Sequence, residues 1–497
     1  MSQVEDDGQA LIEHVDVLIV GAGISGIGAA AHLTEQLPDL SFVILERYDT
    51  FGGTWHLHRY PGVRSDSDLF TFGYRFKPWV GAPIASGQEI LRYLEEVVEE
   101  RDLAPHIRYS HHVSDARWES NDNLWHVRAT REGSETPLHF TARFLWMCQG
   151  YYHHDVGYTP EWSGTSDFEG QIVHPQHWPD GMSWTDKRII VIGSGATAAT
   201  VIPAIAADSA HVVMLQRSPT YFVSDRNGND LAELLVSLDV PPEWIHEIVR
   251  RKIIADADTF TRKAFADPEG TARSLIENVR SLLPEGYDVE THFTPKYMPW
   301  RQRVAFVPDG DLFKAISSGK VEVVTDEVET FTATGVRTRS GRDLDADVVI
   351  TATGFDLSVL GGVRFVVDGQ PVDFAETVSY RGMMFTDVPN LAWVFGYFRS
   401  SWTLRADLVA DLVCRLLMHM REKGAARVIP RLRPADEGLS RLDWIDPADF
   451  SPGYLKRSMH LMPKRLDTPE WRHTQDYVAE RTALPNADLD DGCLEFT

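Results

Sequence analysis

Cysteine is scarce. The 497-residue chain has three, Cys148, Cys414 and Cys493, far apart and without a CxxC pair. That excludes a local redox-active dithiol and an iron–sulfur cysteine set, and it suits a reducing compartment. Basic residues are outnumbered, 48 Lys and Arg against 73 Asp and Glu, for a formal net charge of -25. A surface that negative repels phosphate backbones and anionic lipid headgroups, so nucleic acid is not expected as a partner. Long hydrophobic runs are missing as well. Val17 to Ala31 is too short to span a bilayer, carries Gly21, Gly23, Gly26 and Gly28, and ends at His32. Glu5, Asp6 and Asp7 make the start acidic where a signal peptide is basic. The expectation is a cytoplasmic protein with no integral membrane segment; protein partners leave no mark in the sequence. What is present, 43% hydrophobic residues, suffices for two or three cores.

Residues 1–14 are polar and acidic and are expected as a disordered tail. Val15 to Val20 is a nearly continuous apolar run, as in a buried parallel strand. A glycine-rich turn follows, then a small-residue helix to Leu37 and a second strand from Ser41 to Glu46. The same pattern returns at Arg188–Ile192, Gly193–Gly195, Thr197–Ala207 and His211–Arg217. Two such units imply an α/β fold with two Rossmann-like, three-layer dinucleotide-binding domains. The expected division is 1–150 and 346–497 for the first domain, the latter including a C-terminal tail. The second domain takes 151–226 and 293–345, with a helical insertion at 227–292. Asp347 to Thr353 reads as a further buried strand. Thr403 to Met420 reads as a helix with Leu404, Leu408, Leu412, Leu416 and Leu417 along one stripe, capped by Ser400 or Ser401.

The two glycine-rich turns are followed by opposite charges. Gly21-Ala22-Gly23-Ile24-Ser25-Gly26 is a GxGxxG sequence between strand and helix, a cradle for pyrophosphate at a helix N-terminus. Glu46 ends the next strand, where a carboxylate accepts hydrogen bonds from ribose hydroxyls and repels a 2′-phosphate. This turn therefore suits FAD or NAD. Gly193-Ser194-Gly195-Ala196-Thr197-Ala198 is the GxGxxA variant, and its next strand ends in Arg217-Ser218, placed to receive a 2′-phosphate. Charge alone thus assigns FAD to the first turn and NADPH to the second. The N-terminus of the helix after Ser401 is either an ordinary core-helix end or a partial positive charge facing the flavin.

Two further patterns resemble the class B flavin-dependent monooxygenases. Phe168-Glu-Gly170-Gln-Ile-Val-His174-Pro-Gln-His177-Trp178-Pro179 matches the FxGxxxHxxxWP signature of the Baeyer–Villiger branch. Gly52-Gly53-Thr54-Trp55, Tyr60-Pro61-Gly62 and Asp66 match that branch's GGxWxxxxYPGxxxD pattern. Thr294 to Arg303, with Arg64 to Asp68, is similar to the subgroup of mycobacterial ethionamide-activating monooxygenases.

The resemblance implies roles. Arg303 corresponds to the arginine that stabilises the flavin peroxide, and Asp66 to the carboxylate that positions it. Gly53, Thr54, Trp55 and Leu57 line the flavin, Val113 meets its adenine, and Arg64 and Ser65 lie where flavin and NADPH meet. Gln302 departs from the pattern: many Baeyer–Villiger enzymes have a lysine there that helps grip the 2′-phosphate. Gln149, where a small hydroxyl residue is usual, is a lesser departure. His174 and His177 suggest a metal only superficially, since no further ligand set accompanies them; the resemblance places His174 at a joint between domains. The implied reaction uses NADPH and O2 to insert oxygen beside a ketone or aldehyde carbonyl and to oxidise sulfides. A flavin N- or S-oxygenase without carbonyl activity is the alternative, and a non-catalytic nucleotide sensor is a more distant one.

Overall fold

A computed structural model describes residues 12–497 except 132 and 135. Most of the expected N-terminal tail therefore lies outside the described residues. Its last three positions do not behave as a tail, because Ile12–Val20 is one continuous strand. Val17, Leu18, Ile19 and Val20 are buried and pair in parallel with Phe42–Leu45 on one side and with Phe144–Met147 on the other. A strand covered on both faces needs apolar side chains at successive positions, which is why this run lacks alternation.

The first sheet has nine strands. Its parallel part, Ile107–Arg108, Phe42–Leu45, Ile12–Val20 and Leu138–Met147, continues into an antiparallel part through Leu124–Arg131 and His111–Glu119. Leu391–Trp393 joins the C-terminal half of Leu138–Met147 in parallel. The second sheet is wholly parallel, in the order Val321–Thr325, His211–Gln216, Arg188–Ile192, Val348–Thr351 and Gln171–Val173. In both sheets the glycine-rich turn follows a central strand, the place where open parallel sheets leave a crevice for ligands.

Val348–Thr351 was expected with the first unit, yet it pairs with Arg188–Ile192 inside the second sheet. The apolar run supplies the neighbour that the central strand needs there, and the chain returns to the first sheet only after Gly354. The helical insertion consists of Asp230–Ser237, Pro242–Ala266, Pro268–Ser281 and Val289–Phe293.

The helix read at Thr403–Met420 runs from Trp402 to Lys423. Its burial is not a stripe: Thr403 to Ala410 are all buried, Arg405 and Asp407 included. The helix is wrapped by the first nucleotide helix, Ile24–Gln36, on one side and by the C-terminal segment on the other. Ser401 occupies the N-cap, but its hydroxyl bonds the Thr71 hydroxyl at 2.6 Å rather than the helix backbone. Residues after about Gly424 read in the sequence as a Pro- and Asp-rich tail with little periodicity. They are packed: Trp444, Leu466, Trp471 and Cys493 are fully buried, and Val428–Pro430 pairs antiparallel with Leu494–Phe496. Among the described residues no helix is long and apolar enough to cross a membrane.

Candidate functional site

The first glycine-rich turn is held by contacts that leave no room for a side chain at Gly21 or Gly26. A Cβ on Gly26 would stand 1.8 Å from the Gly21 carbonyl oxygen, so the helix can close onto the strand only through glycine. Gly21 has φ +99° and lies against the backbone of Cys148. Gly23 faces Gly53 across the turn, and a Cβ on Gly53 would come within 3.0 Å of the Gly23 Cα. Two bare backbones thus form the floor of a cleft. Glu46 is buried at its edge, where its carboxylate accepts from the backbone N–H of Ala22 at 2.7 Å and of Tyr48 at 2.9 Å. Burial raises its pKa, and the backbone donors oppose that shift. The carboxylate expected to meet ribose therefore also ties the turn to its neighbouring strand.

The second turn differs in one respect. At Gly193 a Cβ would strike the Ala352 carbonyl at 2.3 Å, whereas at Gly195 it would meet nothing within 4 Å. Gly195 opens onto empty space. Ser194 Oγ pairs with the Thr220 hydroxyl at 2.9 Å and reaches the Ser218 carbonyl at 3.2 Å, fixing the segment that carries Arg217. Both turns face the same cavity, 970 Å³ in volume. Gly21, Gly23, Ser25, Glu46, Gly53, Thr54, Trp55 and Val113 line it from the first unit. Gly193, Ser194, Gly195, Ala196, Thr197, Arg217 and Ser218 line it from the second.

Arg303 and Asp66 line the same cavity as these two sets. Arg303 Nη2 donates to Asp66 Oδ1 at 2.8 Å and lies 2.7 Å from Oδ2. The Arg303 side chain is 41% exposed and lines the cavity. The Asp66 carboxylate raises its already high pKa, outweighing the effect of burial, so the group is a permanent cation. Its loop is tightly tethered. Trp300 has φ +63°, unusual for a bulky side chain, and its carbonyl accepts from Arg399 Nε at 3.2 Å. Arg399 also bonds Asp449, and Arg301 bonds the carbonyls of Ala448 and Asp449. Arg399 and the C-terminal segment at 448–449, bonded to each other, thus tether the arginine loop together.

Three expected positions lie off the cavity lining, and for Gly26 the packing role is the one expected of the third glycine. Gly26 acts through packing and does not line the cavity. Leu57 ends the short Thr54–Leu57 helix and also lies off the lining. Ser65 is buried with no partner for its hydroxyl, and its backbone N–H bonds the Ala85 carbonyl. Its neighbour Arg64 reaches the cavity and bonds Asp311 at 2.5 Å, joining the first unit to a helix of the second. The Phe168–Pro179 signature forms no metal group; among the described residues none is found. Its side chains bind backbone instead. Gln176 Nε2 donates to the carbonyls of His153 and His154 at 2.6 and 2.9 Å, and His177 Nε2 lies 3.0 Å from the His154 oxygen. The His174 ring sits where a Cβ on Gly157 would be, 1.9 Å from Cε1. The signature therefore fixes the strand Tyr152–Gly157, which connects the two sheets.

Sequence reasoning missed Tyr151, Trp402 and Tyr454, which line the cavity beside Arg303. Tyr151 stacks on Trp402 at 5.1 Å. Burial raises the pKa of Tyr151 and Tyr454, so both phenols stay protonated. Tyr151 follows the Gly150 turn and could have been suspected; Tyr454 lies in the aperiodic C-terminal segment, which gives no such signal. Tyr152 Oη bonds Thr54 Oγ1 at 2.9 Å, and His58 Nε2 lies 3.3 Å from it. Burial, followed by the neighbouring histidines, lowers the pKa of His58 to about 4.

Residues 83–237 match the family described as flavin-binding monooxygenase-like, and residues 19–79 match the NAD(P)-binding Rossmann-like domain. The chain is 45% identical over 488 residues to the FAD-containing monooxygenase EthA of Mycobacterium tuberculosis, covering 98% of each protein. It is 42% identical over 486 residues to the probable FAD-binding monooxygenase AlmA of Acinetobacter baylyi, covering 97% of this chain and 96% of that one. Among solved structures, an oxidised steroid monooxygenase bound to NADP superposes with a TM-score of 0.70 at 25% identity, covering 85% of this chain and 88% of the other. The chain belongs to the FAD-containing monooxygenases of the class B flavin-dependent family.

Proposed function

We propose that this chain uses FAD, NADPH and O2 to insert one oxygen atom beside ketone or aldehyde carbonyls, giving esters or lactones, and to oxidise sulfides in the same cavity. The observation that carries the reading is the Arg303–Asp66 pair standing where the two glycine-rich turns share one cavity. The surroundings fit both cofactors. The Gly23–Gly53 floor is a cradle that any side chain would fill, and Gly195 faces space that a side chain would take from a pyrophosphate. Glu46 at one turn and Arg217 at the other supply the charges that suit FAD and a 2′-phosphate respectively. Relatives point the same way: EthA is an FAD-containing monooxygenase, and the steroid monooxygenase was solved with NADP.

Bound there, FAD supplies the O2-reactive ring and NADPH the hydride that reduces it. The protein's own contribution is electrostatic. Arg303 holds negative charge that develops on oxygen as a carbonyl carbon is attacked, at any working pH, because its guanidinium does not deprotonate. Asp66 fixes the orientation of that cation. Tyr151 and Tyr454, kept neutral by burial, are available as hydrogen-bond donors and do not act as anionic bases. Tyr151, Phe398, Trp402 and Tyr454 add aromatic surface to the cavity lining. A thioether has no carbonyl oxygen on which charge can accumulate, so its oxidation depends less on Arg303.

The test is product analysis after incubating FAD-loaded protein with NADPH, oxygen and a panel of linear ketones, cyclic ketones, thioethers and one amine. Esters or lactones containing one added oxygen, with sulfoxides beside them, are the expected result. Sulfoxides or N-oxides without any ester would overturn the carbonyl half of the proposal and leave a heteroatom oxygenase.

A further inference from the structure

Arg457 lies on the short helix Gly453–Ser458, far in sequence from either glycine-rich turn. Its guanidinium carbon is 3.3 Å from the centroid of the Tyr158 ring, so the planar group is stacked. Nη2 donates to the Phe355 carbonyl at 3.2 Å, and Nε is buried without a partner. Arg217 lines the same cavity, with Ser218 and Gln302. Among the described residues neither arginine takes part in an ion pair. That is unusual for arginines at this cavity or behind it: Arg303 has Asp66, Arg399 has Asp449 and Arg405 has Glu480. Asp356 attracts Arg457 from beyond ion-pair distance, and two carboxylates that line the cavity are engaged elsewhere. Asp326 accepts from the Ser340 backbone and Glu327 pairs with Arg339.

Two guanidinium groups that line one cavity without an ion-pair partner among the described residues mark a place for an anion. Burial lowers the pKa of Arg457, and the charge of Arg217 pushes it the same way, against the opposing pull of Tyr158 and Asp356. A phosphate dianion between the two would remove the repulsion. Arg217 follows the strand after the second turn, where a dinucleotide presents its adenosine ribose, not its pyrophosphate.

We propose that Arg457 and Arg217 together clamp the 2′-phosphate of NADPH, with Arg457 supplying the second cation that Gln302 does not. The proposal rests on the reading of the second turn as the NADPH site. Stacking on Tyr158 fixes the plane of the Arg457 fork, so two donors meet one phosphate with little further ordering.

Calorimetric titration of the FAD-loaded protein with NADP+ and with NAD+ tests this without turnover. Arg457→Gln should weaken NADP+ roughly 10- to 100-fold, the span expected for lost charge-assisted hydrogen bonds, and leave NAD+ within about twofold. Unchanged NADP+ affinity would overturn the proposal, as would equal losses for both nucleotides, which would mean that Arg457 grips the pyrophosphate or only supports the fold. Should Arg457→Gln lose its FAD, Arg457→Lys carries the same comparison: a fall confined to NADP+ supports the clamp, and no fall overturns it. Failure of the underlying reading shows differently. Wild-type protein would then bind NAD+ as tightly as NADP+, and Arg217→Gln would alter neither; that result overturns the clamp with it.

Discussion

Gly26 and Gly195 occupy the last and the middle glycine positions of their respective turns, yet they answer to different forces. At Gly26 the constraint is internal, since any Cβ collides with the Gly21 carbonyl. Gly26→Ala should destabilise the protein by about 1–3 kcal/mol or more, the range for overpacking, and lower its FAD content. At Gly195 the backbone is extended, with φ -79°, and the space beyond it is empty. Gly195→Val should therefore leave the melting temperature within about two degrees while weakening NADP+ binding at least tenfold. Thermal denaturation beside nucleotide titration separates the two cases. A large loss of stability in Gly195→Val would show that this glycine serves the fold and not a ligand.

Elements are joined in this protein by buried charges. His32, on the first nucleotide helix, lies between Asp407 and Asp411 of the helix Trp402–Lys423, at 3.3 and 3.2 Å. Burial alone would lower its pKa, but the two carboxylates outweigh it and raise the value to about 9. The stability it contributes is fully present below about pH 6.5, its unfolded value, and is lost as pH rises through about 9. A shift of that size corresponds to about 3 kcal/mol. The melting temperature should fall between pH 6.5 and 9, and His32→Asn should flatten that fall; an unchanged slope would assign it to other groups. A second joint binds the C-terminal segment. Arg405 is fully buried, its Nε donates to Glu480 Oε2 at 3.0 Å, and the Tyr397 hydroxyl donates to the same oxygen. Glu480→Ala leaves that guanidinium uncompensated and should cost about 3–5 kcal/mol, measured by denaturant unfolding. Preserved stability would mean that the pair is replaced by water. These joints were invisible in the sequence. The paired strand–turn–helix units were legible because a strand buried on both faces must be continuously apolar and because its turn carries glycine where a side chain would strike backbone or take the space of a ligand. The C-terminal segment was not: its strands are two or three residues long, and its core is built by Trp444, Trp471 and Phe450, which follow no period.

Taken as a whole, the molecule brings to one cavity residues that the chain keeps hundreds of positions apart. The turns and the charges that follow them could be read directly, because each works within its own strand–helix unit. Arg303 and Asp66 could be named only through resemblance, since nothing local marks an arginine in an irregular loop. Tyr454 and Arg457 were missed because they reach the cavity through tertiary packing alone. The same packing makes the arginine loop a composite, held by Arg399 and by the segment around Asp449, so its position reports on the entire assembly. The most direct test is the yield of ester per NADPH oxidised, compared between wild-type protein and Arg303→Ala. The account predicts that the variant still reduces its flavin with NADPH while ester formation falls about a hundred- to a thousandfold. Ester produced at the wild-type yield would contradict it.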